Sequence, residues 1–148
     1  MPTYLLDTDT LSLLRKAHPE VGRGVLRTPF ADRFAPVIAV EEQLTGWYTE
    51  VRKARRPADL AAAYANLAST VGFYTRLQIA PFDLPAIAEF DRLRRLKLNV
   101  GSNDLRIAAI ARTIRAAVVT RNRRDFDRVP GLRVEDWSVP LAGPPPAA

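Results

Sequence analysis

Residues 4–14, YLLDTDTLSLL, are an apolar run that ends in alternating aspartate and threonine. The apolar residues before Asp7 predict a short buried strand over residues 2–6. Aspartate and threonine are frequent helix N-caps, so the polar residues predict a helix over residues 8–16. The chain therefore opens with a strand that passes directly into a helix, and Asp7 and Asp9 lie at the junction.

The rest of the chain repeats this alternation. Apolar runs predict strands at residues 36–40, 78–82, 116–120 and 132–134. Helical patterns are found over residues 40–51, from Asp59, from Pro85 and after a break at residues 101–104. Residues 18–36 contain several Pro and Gly residues and predict a short helix with irregular turns. Strands that alternate with helices predict an α/β fold with a central, mostly parallel β-sheet flanked by helices.

The helix predicted from Asp59 carries a long apolar stripe. Its members recur in steps of four, three, four and three residues: Leu60, Tyr64, Leu67, Val71 and Tyr74. That spacing is typical of one face of an amphipathic helix. We expect this face to lie in the core or in a dimer contact.

Length and composition indicate one domain over residues 1–137 and a Pro-rich tail, residues 138–148, that we expect to be disordered. The 148 residues include no cysteine and one histidine, His18, which excludes disulfides, thiolate zinc sites and His-rich metal sites. No apolar run reaches the roughly 18 residues of a membrane span. Asp7 and Asp9 interrupt any signal-peptide pattern, so we expect a cytoplasmic protein without membrane association.

The charge balance is strongly basic. Twenty-two Lys and Arg residues stand against sixteen Asp and Glu residues, giving a net charge of +6 and a pI near 10.3. This surplus favours a polyanionic partner, either nucleic acid or an acidic protein segment.

Acidic residues fall beside the strand ends in four separate segments: Asp7 and Asp9, Glu41 and Glu42, Asp104, and Asp125 with Asp127. In an open parallel sheet, ligands bind beyond the carboxyl ends of the strands. Taken singly, each acid is explained as a helix cap, a first-turn acid or half of a surface ion pair. The candidate site depends on all four segments meeting at one edge.

A cluster of carboxylates without His, Lys or Cys is unfavourable unless a cation offsets the repulsion. Oxygen-only ligands select hard ions, here Mg²⁺ or Mn²⁺. One or two such ions activate a water for attack on a phosphodiester, which is the chemistry of a nuclease.

Basic residues cluster over residues 52–56, over residues 92–97, and around Asp125. The third cluster consists of Arg121, Arg123, Arg124 and Arg128. It lies beside the predicted acidic site, where it would hold substrate phosphates next to the metal, and Arg121 and Arg124 are our candidates for that contact.

Four stretches together resemble one family: YLLDTDTLS, VIAVEEQLTGW, GSNDLRIAAIA and VVTRNRRDFDRVPGLRVEDW. The chain resembles the VapC-like PIN-domain toxins, ribonucleases of bacterial toxin–antitoxin pairs, over nearly its whole length up to about Trp137. The resemblance implies a PIN-domain fold, Mg²⁺-dependent endoribonuclease activity, homodimerisation and inhibition by a cognate antitoxin.

The resemblance also assigns the catalytic and metal-binding acids: Asp7, Glu42, Asp104 and Asp125. The family's second acid precedes a glycine by four residues, which selects Glu42 over Glu41. Asn122 matches a polar residue that family members keep near the site, and we expect it to take part in substrate binding with Arg121 and Arg124. Family members commonly have Asn where this chain has Asp9, and whether Asp9 contacts a metal stays open.

Two other interpretations stay open. In the first, LLDTDTLS approximates the Asp-x-Asp motif of haloacid-dehalogenase-like phosphatases, with Asp7 as nucleophile and Asp9 as acid. That motif has Thr or Val at the position where this chain has Leu11, and it requires a lysine near the site. The available lysines are Lys16, Lys53 and Lys97. In the second, the protein is a non-catalytic RNA- or protein-binding module. The loss of one of the four acids would favour that interpretation, but all four are present.

Overall fold

The computed structural model describes residues 2–140, and its sheet has five strands. They are β1 (Thr3–Leu6), β2 (Arg33–Pro36), β3 (Gln78–Ala80), β4 (Ala116–Val119) and β5 (Val134–Glu135). Their order is β3-β2-β1-β4-β5 and every pair is parallel. The predicted α/β class with a parallel sheet is therefore confirmed. Residues 141–148 of the predicted tail lie outside the described residues.

Seven helices are found in the described part of the chain. They are α1 (Thr8–Arg15), α2 (Pro19–Arg27), α3 (Val37–Lys53), α4 (Pro57–Tyr74), α5 (Leu84–Arg95), α6 (Ser102–Thr113) and α7 (Arg123–Phe126). A 3₁₀ turn, Phe30–Asp32, precedes β2. Within residues 2–140, none of these helices has the length and apolar character needed to cross a bilayer.

The central strand β1 is buried on both faces. Leu5 belongs to a core formed with α5 and α6, whereas Leu6 belongs to a second core that includes Trp137. Helix α6 packs closely because residues 107–111 are small or β-branched and fully buried. Burial of both faces is what an all-parallel sheet requires, and it leaves the carboxyl edge of the strands for polar residues.

The strand predicted over residues 36–40 is wrong. The strand ends at Pro36, and residues 37–40 form the first turn of α3, where Ile38 and Ala39 are buried. A short apolar run buried on all sides does not distinguish a strand from a buried helical turn. As a result, Glu42 lies in the second turn of α3 rather than just after a strand.

The long helix is α4, and the N-cap predicted for it is wrong. Its N-cap is Arg56, and Asp59 lies in the first turn with an ion pair to Arg56. The apolar stripe is divided: Tyr74 is buried in the core, whereas Leu60, Tyr64 and Val71 are 38%, 54% and 47% exposed. The helix packs through a face that includes Ala63, Thr70 and Tyr74. For the three exposed residues, a dimer contact stays a prediction.

Other differences are confined to element ends. Strand β3 stops at Ala80, and β5 covers Val134–Glu135 rather than residues 132–134. The polar segment after β4 contains the single turn α7. Such shifts of one or two residues do not change the topology.

The end of the described chain packs onto α2 through Trp137. Its ring lies 5.2 Å from the Tyr4 ring, centroid to centroid. A Cβ added at Gly24 would lie 2.6 Å from Trp137 Cε3, so the helix backbone approaches the indole directly. This contact closes the core on that face of the sheet.

Candidate active site

Asp7 lies where β1 ends and α1 begins. Its backbone N–H donates to the Val119 carbonyl at 3.1 Å, which fixes it beside the end of β4. Its Oδ1 accepts from the Thr10 N–H at 2.9 Å, so Asp7 is the N-cap of α1. The Thr10 hydroxyl donates to the same Val119 carbonyl at 2.9 Å. Asp7 is thus a helix cap and also a carboxylate at the carboxyl edge of the sheet.

The Asp7 carboxyl is almost fully buried, with 4% of the residue exposed. Burial raises its pKa, while hydrogen bonds with Thr120 and Thr10 act in the opposite direction and the nearby Asp9 charge raises it slightly. A carboxylate kept out of water in this way is stabilised in its ionised form by a nearby cation.

Glu42 reaches the same edge from α3. The Thr8 hydroxyl donates to Glu42 Oε1 at 3.0 Å, and Glu42 is partly buried. The preceding residue, Glu41, is exposed. Of these two neighbouring acids, Glu42 is the one that the fold directs toward the start of α1.

Asn122 connects the acids of α6 and α7. Its Nδ2 donates to Asp125 Oδ2 at 2.9 Å and makes a longer contact of 3.5 Å with Asp104 Oδ2. Its backbone N–H donates to the Thr120 hydroxyl at 2.8 Å, which fixes the loop after β4. Asn122 therefore holds Asp125 beside Asp104.

Asp104 lies among the other three acids. The pKa of its carboxyl is raised to about 6, first by burial and then by the charges of Asp7, Glu42 and Asp125, whereas the Asn122 amide lowers it. The fold therefore brings together the acids from four chain segments. We call Asp7, Glu42, Asp104 and Asp125 the acid cluster.

The acid cluster fits a hydrated divalent cation. All its donors are carboxylate oxygens, and the pKa of Asp104 is raised first by burial and then by the charges of the other three acids, so a cation would favour its ionised form. Within residues 2–140, no three His, Cys, Asp or Glu side chains converge closely enough to ligate one ion together. Mg²⁺ is usually held by one or two carboxylates and keeps several waters, so it does not need such a convergence.

Asp9 does not join the acid cluster. Its two oxygens accept from Arg121 Nε at 2.7 Å and Nη2 at 2.8 Å, a bidentate ion pair at the rim of the site. The hydrogen bonds from Arg121 lower the pKa of Asp9, although partial burial opposes them. Both oxygens of Asp9 are therefore engaged with Arg121.

The other basic residues after β4 differ in their partners. Arg123 pairs with Asp127 at 3.8 Å, and Arg128 pairs with Asp125 at 3.5 Å. Arg124 is exposed and forms no ion pair with any residue between 2 and 140. Of the two predicted phosphate-binding residues, Arg124 is unpaired and Arg121 is held by Asp9.

The phosphatase interpretation loses support at two points. Asp9, which it requires as the acid, is engaged with Arg121. Lys16, Lys53 and Lys97 are all exposed, and in the described part of the chain none forms an ion pair with an acid of the cluster.

Three threonines were not singled out as site residues by the sequence. The Thr8 hydroxyl donates to Glu42, and the Thr10 backbone N–H donates to Asp7. A hydrogen bond with Thr120 lowers the pKa of Asp7, and the Thr120 hydroxyl accepts from the Asn122 backbone N–H. The only signal for Thr8 and Thr10 is their alternation with aspartate in residues 7–10, since a hydroxyl supplies both a donor and an acceptor.

Comparison with known proteins gives relatives over nearly the whole chain. It is 30% identical over 141 residues to the tRNA(fMet)-specific endonuclease VapC of Salmonella typhimurium, covering 93% of this chain and 99% of the relative. It matches DNA-bound VapBC from Salmonella typhimurium with a TM-score of 0.75 and 31% identity over 93% of this chain and 99% of that one. VapBC-5 of Mycobacterium tuberculosis, from the VapBC family of toxin–antitoxin systems, gives a TM-score of 0.57 and 25% identity over 91% of this chain and 99% of that one. No model of a protein family matches.

Proposed function

The chain belongs to the VapC family of PIN-domain ribonuclease toxins, and we propose that it is a Mg²⁺-dependent endoribonuclease that uses the acid cluster to hydrolyse RNA phosphodiester bonds. The observation that carries this proposal is the position of Asp104, where the charges of three acids from three other segments add to the effect of burial and raise the pKa of its carboxyl. Mn²⁺ has the same preference for oxygen ligands and is expected to substitute.

The acid cluster would hold the ion through Asp7 and Asp104, with Asp125 and Glu42 beside them. A bound Mg²⁺ would neutralise charge on the phosphodiester and lower the pKa of water at the site. Asn122 keeps Asp125 next to Asp104 through its bond at 2.9 Å. The buried bonds to Thr10 and Val119 keep Asp7 at the end of β1.

Glu42 is suited to act on the attacking water. One of its oxygens accepts from Thr8, so the other is left to accept a proton or to orient the water. The water oxygen forms a bond to phosphorus as the bond to the leaving ribose oxygen breaks. The proton removed from the water passes to the carboxylate, which later releases it to solvent, and the leaving ribose oxygen takes a proton from solvent. The products are two RNA fragments, one ending in a phosphate and the other in a hydroxyl.

RNA is the substrate that the charge of the chain favours. The net charge is +6, and Arg124 is an unpaired cation within the described residues, two positions after Asn122. Arginine binds phosphate oxygens through its planar fork. The relative from Salmonella typhimurium is named a tRNA(fMet)-specific endonuclease, so tRNA is the first substrate to test.

We propose two protein partners. The first is a cognate antitoxin, since the similar structures from Salmonella typhimurium and Mycobacterium tuberculosis are VapBC assemblies. The second is another copy of this chain, because three residues of the α4 stripe, Leu60, Tyr64 and Val71, stay exposed when residues 2–140 are folded. Large exposed apolar faces on helices are typical of protein contacts.

Calorimetric titration with Mg²⁺ tests the site separately from catalysis. Wild type is expected to bind the ion, and Asp104→Asn is expected to bind it at least about tenfold more weakly, because a carboxylate at the centre of the cluster is lost. Asp127→Asn removes an exposed acid from the same region and controls for the change in charge. Equal affinity in wild type and Asp104→Asn would overturn the assignment.

A further inference from the structure

The ion pair between Asp9 and Arg121 joins the two segments that flank the acid cluster. Asp9 lies two residues after Asp7 in the first turn of α1, and Arg121 lies between Thr120 and Asn122. Both side chains are about half exposed, at 47% and 49%. The pair is therefore located at the solvent-facing rim of the site.

This pair is not required to hold the two segments together. Two buried hydrogen bonds already do so, from the Asp7 N–H and the Thr10 hydroxyl to the Val119 carbonyl. Exposed ion pairs contribute little to folding stability because water screens them. The consequence of the bidentate pair is therefore sought in the orientation that it gives to the Arg121 guanidinium.

The geometry leaves one edge of the guanidinium free. Asp9 occupies the edge formed by Nε and Nη2, and no other hydrogen bond of this guanidinium is formed with residues 2–140. The second edge, formed by Nη1 and the remaining Nη2 hydrogen, keeps its donors in a planar fork that matches two phosphate oxygens. An arginine held by one edge is thus prepared to bind phosphate with the other.

We propose that Asp9 is a positioning residue for the RNA substrate: it holds Arg121 at the rim of the acid cluster so that the free edge of the guanidinium binds an RNA phosphate. This inference rests on the proposed ribonuclease function. Free arginine side chains lose rotamer entropy when they bind, and Asp9 reduces that loss by restricting Arg121 beforehand.

The proposal and long-range electrostatics predict opposite changes in RNA affinity when Asp9 is removed. Removing Asp9 makes a basic protein more positive, so long-range attraction alone predicts tighter RNA binding. Loss of positioning predicts weaker binding. Asp127→Ala is the matched control, since Asp127 is an exposed acid in the segment after β4 that also carries Arg121, and it pairs with Arg123 at 3.8 Å.

The experiment measures binding of a fluorescent mixed-sequence RNA in metal-free buffer over a salt series, and cleavage of unfractionated tRNA with Mg²⁺. The variants are Asp9→Ala, Asp9→Asn, Arg121→Ala, the Asp9→Ala/Arg121→Ala double variant and Asp127→Ala. We expect Asp9→Ala to weaken binding about 3- to 10-fold and to raise KM with little change in kcat. Asp9→Asn, which keeps one acceptor oxygen, should lose less, and Asp127→Ala should not weaken binding.

The double variant shows whether Asp9 acts through Arg121. In the Arg121→Ala background, adding Asp9→Ala is expected to cause no further weakening, and Arg121→Ala is expected to lower the salt slope by about one. The proposal is wrong if wild type cuts RNA while Asp9→Ala binds RNA as tightly as wild type or more tightly. If wild type neither binds nor cuts RNA, the ribonuclease proposal itself fails, and the role of Asp9 fails with it. Thermal unfolding of each variant separates these effects from misfolding.

Discussion

The Thr8 hydroxyl donates a hydrogen bond of 3.0 Å to the Glu42 carboxylate. It joins the first turn of α1 to the second turn of α3, 34 residues later in the chain. The charge of Glu42 acts on Asp104, whereas Glu41 remains exposed. Two adjacent glutamates on one helix are therefore placed in different environments.

This difference gives a matched pair of substitutions. Glu42→Gln is expected to lower kcat for RNA cleavage by about 100-fold or more, because the amide cannot accept a proton from water. Glu41→Gln has the same change of charge and is expected to stay within about twofold of wild type, as surface substitutions usually do. Cleavage rates with Mg²⁺ and saturating RNA measure both, and an equal loss in the two variants would contradict the role of Glu42.

Asp104 makes the stability of the metal-free protein depend on pH. The pKa of its carboxyl is raised from its ordinary value to about 6 in the folded protein. Between about pH 4 and pH 6 the folded state therefore keeps a proton that the unfolded state releases, so this contribution to stability is lost as pH rises through that window. Above it, the folded protein carries the full cost of an ionised Asp104.

Asp104→Asn removes that cost. With EDTA present, the variant is expected to match wild type near pH 4 and to exceed its free energy of unfolding at pH 7 by about 1 kcal/mol, a value reduced for the partly exposed carboxylate. Urea unfolding at both pH values measures the difference, with Asp127→Asn as the control for charge. An equal gain in the free energy of unfolding at both pH values would contradict an unfavourable ionisation of Asp104 in the folded protein.

The contact between Trp137 and α2 predicts opposite effects at two glycines of one helix. A Cβ at Gly24 would lie 2.6 Å from the indole, so Gly24→Ala is expected to destabilise the protein by about 1–3 kcal/mol. A Cβ at Gly22 meets nothing within 4 Å, so Gly22→Ala is expected to be neutral or to stabilise by up to about 1 kcal/mol. Chemical denaturation of the two variants compares them directly. Equal stability of the two variants would mean that the indole does not pack on the α2 backbone.

The exposed part of the α4 stripe predicts a contact between two copies. Tyr64 is 54% exposed between Leu60 and Val71, so Tyr64→Glu would place a charge in the middle of such a contact. We expect wild type to be a dimer by light scattering and the variant to be a monomer with unchanged thermal stability of the fold. Tyr48→Glu, at a tyrosine that is 46% exposed on α3, controls for the change in charge. A dimer that survives Tyr64→Glu would place the interface elsewhere.

Much of the site's location follows from the sequence because short apolar strands with polar ends are a local pattern. Asp7 and Asp104 flank β1 and β4, which pair in parallel from Thr3 and Ala116 onward. Parallel pairing alone brings the carboxyl ends of these strands to one edge. The side chains at that edge could therefore be predicted without knowing the register.

Other features depend on contacts that no local pattern contains. Asp9 and Arg121 are 112 residues apart, and their pairing depends on the register of two strands and on two side-chain conformations. The stripe on α4 shows the same limit, because periodicity identifies an apolar face but not what covers it. The placement of Val37 in a helix rather than a strand was likewise decided by its tertiary surroundings.

Cleavage of unfractionated tRNA by the purified protein, with Mg²⁺ or with EDTA and alongside Asp7→Asn, tests the central claim most directly. The account predicts discrete RNA fragments with Mg²⁺, none with EDTA, and a loss of cleavage in Asp7→Asn while its fold is retained by circular dichroism. Cleavage by wild type that persists in EDTA, or that is unchanged in Asp7→Asn, would contradict a metal-dependent reaction at the acid cluster.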